Sequence, residues 1–444
     1  MQLSKWTQEL ILSLKQQKPQ KVLELLQPYI DIKGKDQFSG DKIPDDMYYH
    51  FRSNFQEEAD QQAITKFVTG FLTHSKLIDL NKAGKIVGKQ AVTIKNEIFG
   101  SMILAFSGFE TLCDQPYMDG RWIGSLIDHL CKLLSQYSIE ADKELNESAE
   151  ARDSVKSEHN LKSAHAQQNK ALSVMESLFR RILPCNNQPP DNRRFGDFYI
   201  ALRMIKLQFK QNSYKISQTY FKWIDTQVNQ NVGYSLEQLT DKYRVTLAFY
   251  QGRFQLYKNE LQLARQELRF AFQNCPNDYL KSKKKILRFL VPVEMNLNKF
   301  PTKTLLTKYQ LNEYIPLSEA CIDGDLKKFD DTLEQYMDQY VMSGVYLAVE
   351  KLRHLTIRNL IKKYSLVIKS DPSLQPGFES QSHVIKLENI FSIMSQWDQE
   401  LDLDELECII ANQIYLGFIK GYIMHDRRLL VLARNIDPFT LKYE

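Results

Sequence analysis

The sequence predicts an all-α protein, a solenoid of paired helices that ends in a winged helix carrying one small β-hairpin. Two observations lead there. From about residue 194 onward, segment after segment places apolar residues three and four apart, the period of a helix with one buried face. Near the C-terminus, "GFIKGYIMHDRRLLVLAR" is instead rich in Ile, Leu, Val, Tyr and Phe on both sides of the polar Asp426-Arg427, which suits two short strands and their turn.

Length and composition bound the rest. The 444 residues allow two or three domains at roughly 150 residues each. With 43% hydrophobic and 25% charged residues, the chain is ordinary globular material with enough apolar mass for a sizeable core. A net charge of +4 permits a local basic patch without announcing a nucleic-acid binder. Cys113, Cys131, Cys185, Cys275, Cys321 and Cys408 are widely scattered, which suits reduced thiols in the cytosol or nucleus. The opening "MQLSKWTQELILSLKQQKPQ" breaks its apolar residues with Lys5, Glu9 and Lys15, so it predicts an amphipathic helix and no signal peptide. No run approaches the ~18 apolar residues of a membrane span. A soluble, intracellular protein is expected.

Three stretches interrupt the helical pattern. Residues 31–46 mix Gly, Pro and charge and predict a loop; residues 141–170 are polar and predict either an exposed helix or a disordered insertion. The stretch "PCNNQPPDNRR" at 184–194, with three prolines and three asparagines, predicts a boundary. The resulting division is an N-terminal helical region 1–185 containing the insertion 141–170, helical repeats 186–343, and a winged-helix subdomain 344–444.

Within the repeats, Gly252, Ala264, Leu268, Ala271 and Pro276 fall at the spacing of a tetratricopeptide unit. Small residues let two antiparallel helices approach closely, and Pro276 stops the second. The first aromatic positions of that pattern are partly missing, so the unit is TPR-like; a generic helical hairpin predicts the same solenoid. Pro292 inside an apolar run predicts a kinked helix, Pro301 opens another, and Gly324-Asp325 marks the turn of a further helix pair. Beyond Gly344, helices are expected at 345–369, 383–398 and 402–417, the last starting on Asp402 or Asp404 and ending on Gly417. Three helices followed by a two-stranded hairpin is the winged-helix plan.

Searching for catalysis yields little. Gly84 to Gly88 is one residue short of a phosphate loop, and Gln90 stands where Ser or Thr would bind magnesium. None of the eight histidines falls into a zinc-site pattern, and no Ser or Cys nucleophile motif occurs. No catalytic residue, metal ligand or cofactor is predicted. Basic surface remains. Lys351, His354, Arg358 and Lys362 recur at helical spacing, opposite an apolar face of Val345, Ala348, Leu352, Leu355 and Ile361. Lys281, Lys283, Lys284, Lys285 and Arg288 form a second group, and Lys420, Arg427, Arg428 and Arg434 surround the hairpin. Residues 402–417 hold four carboxylates and no Lys or Arg, so major-groove reading by that helix is disfavoured and any nucleic-acid contact is expected through backbone phosphates. Phe418, Ile419, Tyr422, Leu429 and Val431 are expected to cover the third helix, and an exposed strand edge through Leu429, Leu430, Val431 and Leu432 is expected to be able to accept a partner's strand as well.

This plan, with "YQGRFQLYKNELQLARQELRFAFQNCP" (250–276), "KKKILRFLVPVEMNLNKFPTKTLLTKYQL" (283–311), "GVYLAVEKLRHLTIRNLIKK" (344–363) and "DLDELECIIANQIYLGFIKGYI" (402–423), resembles the PCI-domain family of the proteasome lid, the COP9 signalosome and initiation factor three. The resemblance covers about 190 to 437. It implies a non-catalytic scaffold subunit of a transcription-coupled mRNA-export complex in the nucleus, at the pore of the nuclear envelope, with some cytoplasmic presence. It implies docking on a larger PCI-containing scaffold of the germinal-centre-associated nuclear protein type and on a small acidic disordered subunit shared with the proteasome lid. It also implies non-specific binding of RNA or DNA, with Lys351, Arg358, Lys362, Lys420, Arg427, Arg428 and Arg434 in that role. The alternative is a subunit of a COP9-like or lid-like assembly that works by protein contacts alone.

Overall fold

The structure is a computed structural model that describes residues 2–27, 51, 54–55, 57–82, 94–113, 122–150, 165–182, 194–229, 239–375, 377–378, 381, 383–397 and 400–441. The expected loop at 31–46, the Gly84–Gln90 stretch and most of 184–194 lie outside the described residues. The chain packs as two compact units, Met1–Gln238 and Leu239–Glu444.

The first unit is helical: α1 Leu3–Lys15, α2 Pro19–Leu25, α3 Glu58–Lys82, α4 Ile94–Leu112, α5 Trp122–Glu150, α6 Ala166–Ile182, α7 Arg194–Lys210 and α8 Tyr214–Asn229. Helix α1 is amphipathic as its spacing predicts, with Trp6, Leu10, Ile11 and Leu14 buried and Lys5 and Lys15 exposed. The Trp6 indole stacks on Phe71 at 5.9 Å and donates to the Leu25 carbonyl at 3.0 Å, so its one polar atom is satisfied inside the core. Helices α3 and α4 nearly touch at their backbones. A side chain at Gly108 would place its Cβ 2.6 Å from the Ala63 carbonyl oxygen, so only glycine permits the approach. Of the polar stretch 141–170, residues 141–150 continue α5 and 166–170 begin α6, while 151–164 lie outside the described residues. Buried Asp142 accepts from the Gln167 and Gln168 amides at 2.8 and 3.0 Å, capping α6 from α5. Helix α7 packs on α5 within this unit, where Arg203 meets Asp128 at 2.7 Å.

The second unit begins with α9 Asp241–Tyr257 and α10 Leu261–Asn274, the TPR-like pair. Gly252 faces Leu268 and Ala264 across it; an added Cβ would lie 2.6 Å from Leu268 Cγ and 3.2 Å from the Ala264 carbonyl oxygen. Helix α11 Leu280–Asn296 contains Pro292, which has no N–H for the carbonyl of Arg288 four residues back. That carbonyl is taken by the hydroxyl of buried Tyr314 at 3.0 Å, so the proline's gap becomes a tertiary contact. Next come α12 Lys303–Lys308, α13 Tyr314–Asp323, α14 Leu326–Gln335 and α15 Met337–Ser343. Gly324 ends α13 at φ +69°, with its Cα so near Leu360 that a Cβ would lie 2.5 Å from that residue's amide nitrogen. Asp325 then caps α14 through the Lys328 amide at 2.9 Å.

The winged helix comprises α16 Tyr346–Glu350, α17 Leu352–Ser370, β1 Val384–Lys386, α18 Leu387–Met394, α19 Leu403–Tyr415, β2 Gly421–Met424 and β3 Leu429–Leu432. Three expectations are corrected here. The single helix at 345–369 is two, divided at Lys351. Residues 384–386 form a strand before the helix expected at 383–398. The sheet therefore has three strands, in the order β1-β3-β2, because β-branched Val384 and Ile385 pair with β3 in addition to the hairpin. One core joins Ile357, Ile361, Ile385, Leu406, Ile410 and Leu430 from α17, β1, α19 and β3. Asp402 caps α19 by accepting from Glu405 at 2.6 Å, as its sequence predicts.

Candidate nucleic-acid and docking interface

The residues predicted to share one basic stripe on α17 do not share one environment. Lys351 is exposed, with its ammonium 2.7 Å from Asn259 Oδ1. His354 is half-buried, stacks on Phe418 at 5.7 Å and meets the Gln413 side chain at 2.9 Å. Burial, and then Arg353 and Lys351 nearby, hold its imidazole below the ordinary value. Arg358 is 3% exposed and is a correction. Its Nε donates to the Phe439 carbonyl at 3.0 Å, its Nη2 donates to the same oxygen, and its Nη1 donates to Asn359 Oδ1 at 2.7 Å. The guanidinium pins the C-terminal segment onto α17 and offers nothing to a ligand. Lys362 is half-buried. The group at the start of α11 is also divided: Lys283 is buried with its ammonium 2.6 Å from Asn277, and Lys285 lies over the Phe249 ring.

The wing keeps its charge at the surface. Its tip is one turn of 3-10 helix, His425–Arg427, followed by Arg428 at φ +51°. Arg427, Arg428 and Arg434 are exposed and Lys420 is half-buried. Arg428 faces Asp404 of α19 at 3.6 Å, and His425 meets the Glu407 carboxylate at 2.9 Å. The hydrogen bond to Glu407 and its charge raise the imidazole above its ordinary value. Arg434 lies 2.7 Å from His383. Nothing in the spacing of the sequence announces the pairing of tip and acidic helix; the juxtaposition arises when α19 packs beside β2.

The expected docking edge at Leu429–Leu432 is overturned. Strand β3 is central, paired on both sides, and Leu429, Leu430 and Leu432 are buried with Val431 half-buried. The sheet's edges are β1 and β2, and they differ. Buried Gln375 closes β1 with its side-chain amide, donating to the Val384 carbonyl at 3.0 Å and accepting from the Lys386 amide at 2.9 Å. In β2 the register turns Tyr422 and Met424 toward β3, which leaves the backbone groups of Gly421 and Ile423 on the outer side. A cleft of about 240 Å³ lies where the start of α17 meets the end of α19, lined by Asn259, Leu261, Lys351, His354, Leu416 and Phe418. Among the described residues, no group of three or more His, Cys, Asp or Glu could hold a metal ion. No helix among them is long and apolar enough to cross a membrane.

No family model matches the chain. Individual relatives do. Enhanced ethylene response protein 5 of Arabidopsis thaliana is 27% identical over 362 residues, 80% of each chain. The PCI domain-containing protein 2 homolog of Drosophila melanogaster is 34% identical over 249 residues, 56% of this chain and 58% of that one. Protein CSN12 homolog of Neurospora crassa is 28% identical over 316 residues, 69% of this chain and 70% of that one. Similarity to the animal and Dictyostelium proteins named PCI domain-containing protein 2 thus spans only 52% to 63% of their length. With a TPR-like helical array running into a winged helix, the chain is similar to the proteins named PCI domain-containing protein 2.

Proposed function

We propose that this chain is a non-catalytic scaffold subunit of a nuclear, transcription-coupled mRNA-export assembly. In this reading it docks on a larger PCI-containing scaffold and a small acidic disordered subunit, and holds RNA or DNA without reading bases. The observation that supports it is the division of charge in the winged helix. Arginines stand exposed at the wing, whereas α19, the helix that would enter a major groove, presents carboxylates. Such a surface suits phosphate contact and disfavours base reading. Docking to another subunit suits β2, because Gln375 occupies the opposite edge.

The test is binding of a labelled single-stranded oligouridylate to the full chain, with and without Arg427→Glu plus Arg428→Glu. A loss of about tenfold or more, with a salt dependence shallower by about one to two charges, is expected. Unchanged affinity sinks the basic surface. Affinity purification with mass spectrometry should recover a PCI scaffold and a small acidic protein. A second reading, a subunit of a COP9-like or lid-like assembly acting only by protein contacts, is favoured by the relative named CSN12 homolog. It predicts recovery of signalosome-type or lid-type subunits and no affinity for RNA.

A further inference from the structure

We infer that the wing tip is masked by its own acidic helix: Asp404 and Glu407 of α19 hold Arg428 and His425 where phosphate groups would otherwise sit, and a polyanion binds by displacing them. The inference rests on the reading that the wing contacts nucleic acid. Its basis is the geometry at the tip, where Arg428 lies 3.6 Å from Asp404 and His425 lies 2.9 Å from Glu407. Arg428 occupies a positive-φ position that Gly or Asn fills most easily, so the turn itself does not call for an arginine. Its side chain is directed at a carboxylate in the first turn of α19, a helix end that already has Asp402 as its cap. The core packs on α19 through Leu406 and Ile410, and neither Asp404 nor Glu407 belongs to it.

The Arg428–Asp404 pair is exposed, and such pairs contribute little to stability, so exchanging Asp404 for a phosphate costs little; Glu407 is half-buried, with His425 exposed above it. Arg427 beside them makes no ion pair among the described residues and is available for first contact. The tip therefore presents one open cation and two that are released on binding. Asp426 also faces His425, and it stays on the tip in either state.

The experiment measures oligouridylate binding by the full chain at about pH 5.5, a full unit below the ordinary imidazole value of about 6.5, so that His425 is mostly protonated even where Glu407 is neutralised. Asp404→Asn with Glu407→Gln should tighten binding about three- to tenfold. Asp331→Asn with Glu334→Gln, on α14, changes net charge equally and should tighten it far less. Adding Arg428→Glu to the first pair should abolish the gain. Asp402 is left in place because it caps α19. Should the double variant lose the parent's melting behaviour, Asp404→Asn alone probes the same contact. Equal effects of the two neutralised pairs overturn masking, as does a gain that survives Arg428→Glu. In either case the nucleic-acid reading stands if Arg427→Glu plus Arg428→Glu still weakens binding. Absence of RNA binding by parent and neutralised variant alike overturns both.

Discussion

In α17 an arginine and a histidine, Arg358 and His354, lie among apolar neighbours; at the wing tip Arg428 and His425 lie in water beside carboxylates. The two pairs are the same residue types, four and three residues apart. Arg358 is buried and holds the Phe439 segment against α17, whereas Arg428 is exposed and faces a neighbouring surface charge. Burial pushes His354 down, and a carboxylate pushes His425 up. The lesson is that a run of basic residues at helical spacing says which side chains share a helix face, and says nothing about whether that face meets solvent or another segment.

The largest effect that separates the two regions is on stability. Arg358→Ala should cost about 3 kcal/mol, because it opens a cavity and leaves the buried Phe439 carbonyl without a donor. Arg358→Met retains most of the volume and should cost about 1 to 2 kcal/mol, the part owed to the hydrogen bonds. Denaturant unfolding measures both, and a neutral Arg358→Ala would erase the contrast with the wing. At the wing, Arg427→Glu plus Arg428→Glu should leave stability within about 0.5 kcal/mol while weakening RNA binding about tenfold.

The histidines sharpen the comparison in opposite directions. His354 is lowered in the folded state, so its contribution to stability is present above pH ~6.5 and is lost as pH falls below that value. His425 is raised, so the tip contact is complete below pH ~6.5 and is lost as pH rises through its elevated folded value. Proton NMR of histidine-labelled protein should show one midpoint on each side of that value, with His354→Gln and His425→Gln assigning the signals. The smallest effect is expected at Lys351. Lys351→Ala removes one exposed hydrogen bond to Asn259 and should change stability by no more than about 0.5 kcal/mol.

Where local chemistry is strong, the fold is legible in the residues themselves. Asp402 as N-cap, Gly252 opposite Ala264 and Leu268, Gly324 at a left-handed turn, and strands on both sides of Asp426-Arg427 all follow from conformational preference or period. The apolar face of Val345, Ala348, Leu352, Leu355 and Ile361 is buried as its spacing requires. Strand β1 escapes detection because three residues carry too little periodicity to separate a strand from the helix that follows. Gln375 escapes for a related reason: its amide acts on a strand nine to eleven residues away, a distance no local rule spans.

By itself, the sequence determined that this protein is helical, that paired helices lead into a winged helix, and that basic side chains gather near the hairpin. Those properties rest on backbone preferences and on side-chain period, which each segment carries alone. Only the tertiary structure decided that Arg358 is a buried clasp, that β3 is the middle strand, and that Asp404 and Glu407 stand beside the wing tip. Each depends on which distant segment arrives beside the residue, and burial, edge pairing and charge pairing are all set by that arrival.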